Sequence, residues 1–292
     1  MVKKQKPKCL VMFSGGLDSR LAIKLMQERG FEVQALFFKL PFGTGCCNEG
    51  CSFNFSQTQG IKLNFIDCTT GKLLQEYLKI IKDAKHGRGA GMNPCVDCRI
   101  FMFKKAKEFA DKEKIKFIVT GEVVGQRPMS QQKKQIELIE KEVGLNGRII
   151  RPLIELGISG RKRDKQIELA NKFGIKYPHP AGGCLLCEKA LKNRLKYLLE
   201  RGLDEQEIKF ISVGRHFLID NCWVVIGRSE SENKIIENVK NREIIISDYA
   251  APSAVIFDKA DKVVKSKVNE LIKSYSKDSS FGDRKNFESF KF

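Results

Sequence analysis

Cys9-Leu10-Val11-Met12-Phe13-Ser14-Gly15-Gly16-Leu17-Asp18-Ser19 is the stretch that decides the fold. Its apolar first half has the length of a short buried strand. It runs directly into two glycines and then into a helix-forming segment, Arg20 to Glu28. Glycines let backbone N–H groups crowd around an anion, and a helix N-terminus adds partial positive charge. The result reads as a phosphate cradle built without a lysine, because the Gly-Lys-Ser/Thr ending of the Walker pattern is absent. Asp18 falls inside the cradle, where a carboxylate can meet a metal ion or a polarised phosphate.

Outward from the cradle the chain alternates. Val11 to Phe13, Val33 to Phe38, Ile61 to Ile66 and Phe117 to Thr120 read as strands; Leu21 to Gln27, Lys72 to Lys82 and Arg99 to Asp111 read as helices. Strands separated by helices predict an α/β fold with a parallel sheet, whose ligands bind beyond the carboxyl ends of the strands. The cradle and Thr120-Gly121-Glu122 both fall at such ends. Arg161 to Phe173 reads as a basic helix, and another runs from Glu188 to about Arg201. Beyond Ile208 the pattern changes to short strands, Phe210 to Val213 and Trp223 to Ile226, with helices near Ser231 to Lys240 and Asp258 to Ser274. The expectation is two domains, 1–188 and a smaller α+β domain over 189–292, with a loose tail from about Ser276.

The chain has 292 residues, 53 Lys+Arg against 35 Asp+Glu, and a net charge of +18. A small neutral metabolite gives no reason for that excess; a polyanion does, since each neutralised phosphate releases counterions. No stretch reads as a signal peptide or membrane span, which points to a cytoplasmic protein without membrane contact. The ten cysteines then argue for metal, cluster or sulfur chemistry over a disulfide framework.

Cys95 and Cys98 form one C-x-x-C pair at a helix start, where the dipole and Arg99 favour thiolates. Cys184 and Cys187 form a second pair after a Pro- and Gly-rich break. Zinc, an iron–sulfur cluster with three cysteine ligands and one open iron, and a persulfide resolved by a second thiol all suit this pattern. Cys46, Cys47 and Cys51 cluster in a glycine-rich loop, while Cys9, Cys68 and Cys222 read as small core hydrophobes.

Five blocks in order carry a family resemblance: Ser14 to Ser19, Asn93 to Arg99, Thr120 to Gln131, Arg151-Pro152-Leu153 and Pro180 to Leu186. Together they resemble the pyrophosphate-loop ATP pyrophosphatases, whose fold is that of the adenine nucleotide α-hydrolases. Within these the tRNA thiouridine synthases are most similar, in a branch related to tRNA 2-thiouridylase. Gly214 to Phe217 and Gly227 to Asn233 resemble the RNA-binding module of the ribosome quality-control (NFACT) proteins.

The resemblance implies ATP-dependent thiolation of a tRNA uridine in which a carbonyl oxygen is adenylated and then replaced by sulfur. It implies ATP contacts at Ser14, Gly15, Gly16, Asp18, Ser19, Phe38, Gly121 and Arg127, with Mg2+ near Asp18 and a cation from Arg127 or Arg151. Cys98 and Cys184 become catalytic with Asp18. Cys95, Cys98 and either Cys184 or Cys187 become the ligands of a [4Fe-4S] cluster, or all four thiols hold zinc. Arg161, Lys162, Arg163, Arg215, His216 and Arg228 are the expected RNA contacts. The implied partners are tRNA and a sulfur donor (a cysteine desulfurase, a sulfur carrier or free sulfide), with a homodimer left open. A non-catalytic RNA-binding protein with a vestigial loop, an amidotransferase or ligase, and a cytidine thiolase are the alternatives.

Overall fold

The computed structural model describes residues 6–43, 49–126, 128–177, 183–276 and 283–292. The chain divides into two compact units, Met1–Lys192 and Asn193–Phe292. Among the described residues, no helix is long and apolar enough to cross a membrane.

The first unit is an α/β layer structure, as the alternation requires. Its sheet contains β1 (Lys8–Met12), β2 (Glu32–Lys39), β3 (Lys62–Asp67), β4 (Phe117–Thr120) and β5 (Ile149–Ile150) in the order β3-β2-β1-β4-β5. Every neighbouring pair is parallel. Central β1 is buried from Cys9 to Met12, the continuous apolar run of a strand covered on both faces. Helices α1 (Leu17–Glu28), α2 (Glu49–Thr58), α3 (Gly71–Asp83), α4 (Cys95–Lys112), α5 (Lys133–Val143), the short α6 (Pro152–Glu155) and α7 (Asp164–Lys172) complete the unit. Val11, Phe13, Leu21, Ile23, Met26, Ala35 and Val119 lie in the core between sheet and helices.

The chain builds β1, β2 and β3 in one direction and then crosses to β4 and β5, so the strand order reverses between β1 and β4. Met12 pairs with Thr120 at the carboxyl ends of these two strands. The loops leaving them flank the crevice in which open α/β sheets bind ligands.

Several sequence expectations shift. Helix α4 starts at Cys95, four residues before Arg99, and α7 starts at Asp164, leaving Arg161 and Lys162 in the preceding loop. Cys51 sits on α2, which had read as loop; Cys46 and Cys47 lie outside the described residues. Helix α8 (Lys192–Arg201) follows a short 3-10 turn.

The second unit carries an antiparallel sheet of β6 (Arg215–Ile219), β7 (Cys222–Ile226), β8 (Glu243–Ile245) and β9 (Ala254–Ile256) in the order β6-β7-β9-β8, with α9 (Glu230–Glu237) and α10 (Lys262–Ser274). Asp220 and Asn221, both at positive φ (46° and 64°), make the two-residue turn between β6 and β7. Phe217, Ile219, Val224 and Ile226 alternate onto one face and pack with Val268, Leu271 and Ile272 of α10.

The predicted strand Phe210 to Val213 is absent. Glu207–Phe210 is a 3-10 turn, and the Ile211 carbonyl accepts from Arg194 Nη1 at 3.2 Å rather than from a strand. A four-residue stretch with three apolar residues does not by itself distinguish the two conformations. The expected loose tail is also corrected over its last ten residues. Arg284–Phe290 forms a 3-10 segment, Phe287 is buried in the core, and Lys291 bridges to Phe217.

Candidate functional site

The loop after β1 leads to Gly16, the N-cap of α1, which has no side-chain cap. The first N–H groups of the helix are therefore left to other partners. Gly15 has φ 78°, the left-handed region that favours glycine. Ser19 Oγ donates to the Gly16 carbonyl at 2.9 Å, and Ser14 Oγ donates to Ser19 Oγ at 3.2 Å.

Beneath the loop lies Arg20, 5% exposed. It donates through Nε to Gly15 O (2.7 Å), through Nη1 to Lys176 O (2.7 Å) and through Nη2 to Cys51 Sγ (3.1 Å), and it stacks over Phe55. A charged residue on the apolar stripe of α1, in phase with Leu17 and Ile23, was the sequence signal for this role.

Gly121 enters the same place from β4. A Cβ there would stand 2.5 Å from the Asp18 carbonyl carbon and 2.7 Å from Ser19 N, so only glycine fits. Asp18 Oδ2 accepts from Gln126 Nε2 at 3.5 Å, whereas Oδ1 is buried without a partner. Burial raises the Asp18 pKa, opposed by Arg163, Gln126 and Gln166. Arg163, read from sequence as an RNA contact, thus lies where it favours the Asp18 carboxylate. Gln126 and Gln166 were not singled out. Phe38 is buried near the carboxyl end of β2, and Arg127 lies outside the described residues.

The two C-x-x-C pairs are brought together. Asn93 Nδ2 donates to Cys95 Sγ at 3.1 Å, and Tyr77 Oη lies 3.2 Å from Cys98 Sγ. Met92 N donates to Leu186 O at 2.7 Å, Leu185 N to Phe42 O at 2.9 Å, and Cys184 bridges to Gly43. Gly91 lies so close to Leu186 that a Cβ would fall 2.3 Å from its carbonyl oxygen. Burial pushes Cys184 up to about 12, with Cys98, Cys187 and Cys95 adding to the rise. Burial likewise pushes Cys98 up to about 11, against the Tyr77 hydrogen bond and Arg99. Among the described residues, no three His, Cys, Asp or Glu side chains are arranged to hold a metal ion. The thiol donors are of the kind that suits a soft metal. Tyr77, on α3, left no signal in the sequence.

Cysteine helix and phosphate loop are tied through Glu122, 3% exposed. It accepts from Arg99 Nε (2.9 Å), Thr120 Oγ1 (3.0 Å) and Arg151 Nε (3.0 Å). Burial raises its pKa, but Arg99 and Arg151 outweigh that and the net shift is downward. Arg151 also donates to Glu140 at 2.9 Å, and its buried Nη2 has no partner.

The remaining expected RNA contacts are dispersed. Arg161 and Lys162 are exposed. In the second unit His216 is corrected to an interior residue: it is 2% exposed, stacks on Trp223 and accepts from Trp223 Nε1 at 3.1 Å. Arg228 is exposed but forks onto Glu232, which its hydrogen bonds hold at about 2. Arg215 is half-buried and donates to Gly227 O across the β6–β7 pair.

A tRNA sulfurtransferase of Blochmanniella pennsylvanica is 27% identical over 268 residues, covering 87% of this chain and 48% of that protein. An argininosuccinate synthase of a Geobacillus species is 29% identical over 181 residues, covering 59% and 40%. The chain thus spans about half the length or less of these curated relatives. A crystal structure of a 4-thiouridine synthetase–RNA complex with bound ATP aligns with a TM-score of 0.44 at 20% identity, covering 70% of this chain and 51% of that one. A family model described as the thiamine biosynthesis protein ThiI matches residues 5–177. That span takes in the loop, Gly121, the first cysteine pair and Gln166, and stops before Cys184. On a match over more than half of its length, the chain belongs to the ThiI family.

Proposed function

We propose that this protein thiolates a uridine of tRNA at the expense of ATP. The observation that carries the reading is the tie between the two centres. Arg99, next to Cys98, binds Glu122, and Gly121 beside Glu122 packs on Asp18. Family membership, the similarity to a protein named tRNA sulfurtransferase and the net charge of +18 support it.

In this mechanism the backbone N–H groups at the head of α1 receive the phosphates of ATP, with adenine beside Phe38. Arg20 holds the Gly15 carbonyl so that the loop keeps its shape. The uracil carbonyl oxygen attacks the α-phosphorus, pyrophosphate leaves, and the fixed dipoles of the loop take up the developing charge without reorganising. Asp18, with its unpartnered Oδ1, suits Mg2+, which would offset charge on the leaving pyrophosphate.

In this mechanism the sulfur step runs through the thiols directly. Cys98 carries a persulfide supplied by the sulfur donor. Its terminal sulfur attacks the adenylated carbon and AMP leaves. The Cys184 thiolate then attacks Cys98 Sγ, the S–S bond to the base breaks towards the base, and thiouridine departs. The resulting Cys98–Cys184 disulfide is reduced by cellular thiol before the next turnover. Exposed Arg161 and Lys162 follow the RNA backbone, and the second unit adds a further RNA-binding surface. The protein works in the cytoplasm.

The test is an assay with tRNA transcript, ATP and a persulfide donor, reading AMP and thionucleoside by mass spectrometry. Wild type should form both, Asp18→Asn neither, and Cys98→Ser should form AMP without thiouridine. Thiouridine retained in both Cys98→Ser and Cys184→Ser overturns the sulfur route. The similarity to an argininosuccinate synthase favours a second reading, a ligase that adenylates a small acceptor. AMP formation without RNA, on addition of a small acceptor such as a ureido amino acid, would support that reading instead.

A further inference from the structure

The positive charge of the chain is unevenly divided. Residues 1–192 carry 35 Lys and Arg against 19 Asp and Glu, a net +16. Residues 193–292 carry 18 against 16, a net +2. In the second unit, moreover, Arg201, Arg228, Arg242, Lys265 and Lys267 are spent on carboxylates of that same unit. Attraction for a polyanion therefore belongs to the first unit.

Within that unit, main chain gathers one group of cations beside the glycine loop. The segment leaving β4 folds back on itself: Gly125 N donates to Gln131 O at 3.0 Å, and Gln132 Nε2 to Gln126 O at 3.0 Å. The turn before α7 lies alongside, with Gly160 N donating to Val124 O at 2.7 Å. Residues 123–134 and 158–165, which make up these two segments, contain one acid, Asp164, against seven Lys and Arg. Lys133 and Lys134 open α5 from the first segment; Arg161, Lys162 and Lys165 lead the second into α7. All five are exposed, and among the described residues none is held by a carboxylate. The same two segments also reach the loop. Gln126 donates to Asp18 at 3.5 Å, and Arg163 lies near enough to favour the ionised form of Asp18.

We propose that this rim, Lys133 and Lys134 with Arg161, Lys162 and Lys165, grips the phosphate backbone of the RNA next to the nucleotide that enters the site, and supplies most of the chain's electrostatic affinity for RNA. The proposal rests on the reading of RNA as the substrate. It leaves the second unit a share of binding that is not one of charge. Cations on phosphates set position without reading sequence, so the rim holds the strand while the loop meets the base.

Anisotropy titration of the full chain with tRNA transcript, over about 0.05 to 0.3 M KCl, tests it. The triple variant Lys133→Gln, Lys134→Gln, Lys165→Gln should bind about tenfold more weakly or worse near 0.15 M salt. The slope of log affinity against log salt should flatten by about two, each lost phosphate contact being worth about 0.7–0.9. The melting temperature should not fall, because a lysine in the first turn of a helix opposes its dipole. Lys259→Gln, Lys262→Gln and Lys273→Gln together remove the same charge from exposed positions of the second unit. That variant should lose about twofold at most, with its slope unchanged. Should the rim triple not fold, Lys133→Gln and Lys165→Gln singly repeat the comparison, each costing about threefold to fivefold. Wild-type affinity in a folded rim variant, or an equal or larger loss in the second-unit variant, overturns the proposal while leaving RNA as the substrate. Absence of tRNA binding by the wild-type protein overturns both.

Discussion

Gly121 touches the backbone of Asp18: a methyl group on its Cα would sit 2.5 Å from the Asp18 carbonyl carbon. The exit of β4 and the first turn of α1 are therefore in contact through main chain, with no side chain between them. Gly121→Ala should push these two segments apart. Overpacking of this kind costs about 1–3 kcal/mol. The expected outcome is a lower melting temperature together with at least tenfold weaker ATP binding, read by calorimetry and nucleotide titration.

Glu122 sits between Arg99 and Arg151, and Glu122→Gln leaves both guanidinium groups without its charge. Breaking a buried pair costs about 3–5 kcal/mol. Because the folded pKa is depressed, the stabilisation is present above the ordinary value of 4.5 and is lost as pH falls through the lower folded value. Urea midpoints should differ widely between wild type and variant at pH 7, and the difference should shrink as pH falls below the ordinary carboxylate value.

Tyr77→Phe removes one hydroxyl, the group 3.2 Å from Cys98 Sγ. That hydrogen bond opposes the upward push of burial, so Cys98 should titrate above about 11 in the variant. Alkylation of the Cys98 peptide by iodoacetamide, followed by mass spectrometry between pH 8 and 10, should slow by about threefold to tenfold. Thionucleoside formation should fall with it, while ATP binding stays unchanged.

His216 is neutral in the fold. Burial pushes its pKa from 6.5 down to about 3, with Arg194 and Arg228 adding to the shift. The unfolded chain binds a proton below pH 6.5 that the folded unit refuses until about pH 3. Stability is therefore complete above 6.5 and declines towards 3, by about 1.4 kcal/mol per pH unit at most. Trp223 is the sole tryptophan and stacks on His216, so its fluorescence reports unfolding of this unit. His216→Gln should flatten the profile.

Where the sequence carried a periodic or steric signal, the structure could be read from it. The strand–glycine–helix passage around Gly15, the parallel alternation and the glycine at 121 are of that kind, because backbone conformation and close approach restrict residue type directly. The pairing of Cys95 and Cys98 with the segment of Cys184 and Cys187 was legible only as a group. Where the second pair sits depends on the main-chain anchoring of Leu185 to Phe42 and of Leu186 to Met92, which no local pattern announces. Phe210 to Val213 failed as a strand because three apolar residues and a serine are too few to carry a period. His216 failed as a surface residue because a single histidine says nothing of which face of β6 it occupies. Gln166 and Tyr77 were missed because each acts through one partner distant in sequence. Arg20 and Gln166 did leave a faint mark, a polar residue set on a helix's buried stripe.

Arg20 lies under the loop with two carbonyls and a thiol as its hydrogen-bond partners. Among the described residues none of these partners is a carboxylate, so the guanidinium spends its donors largely on main chain and fixes the turn at Gly15 from below. On the proposed ATP reading, a triphosphate meets a loop whose shape is already set, with its supporting positive charge held inside the fold.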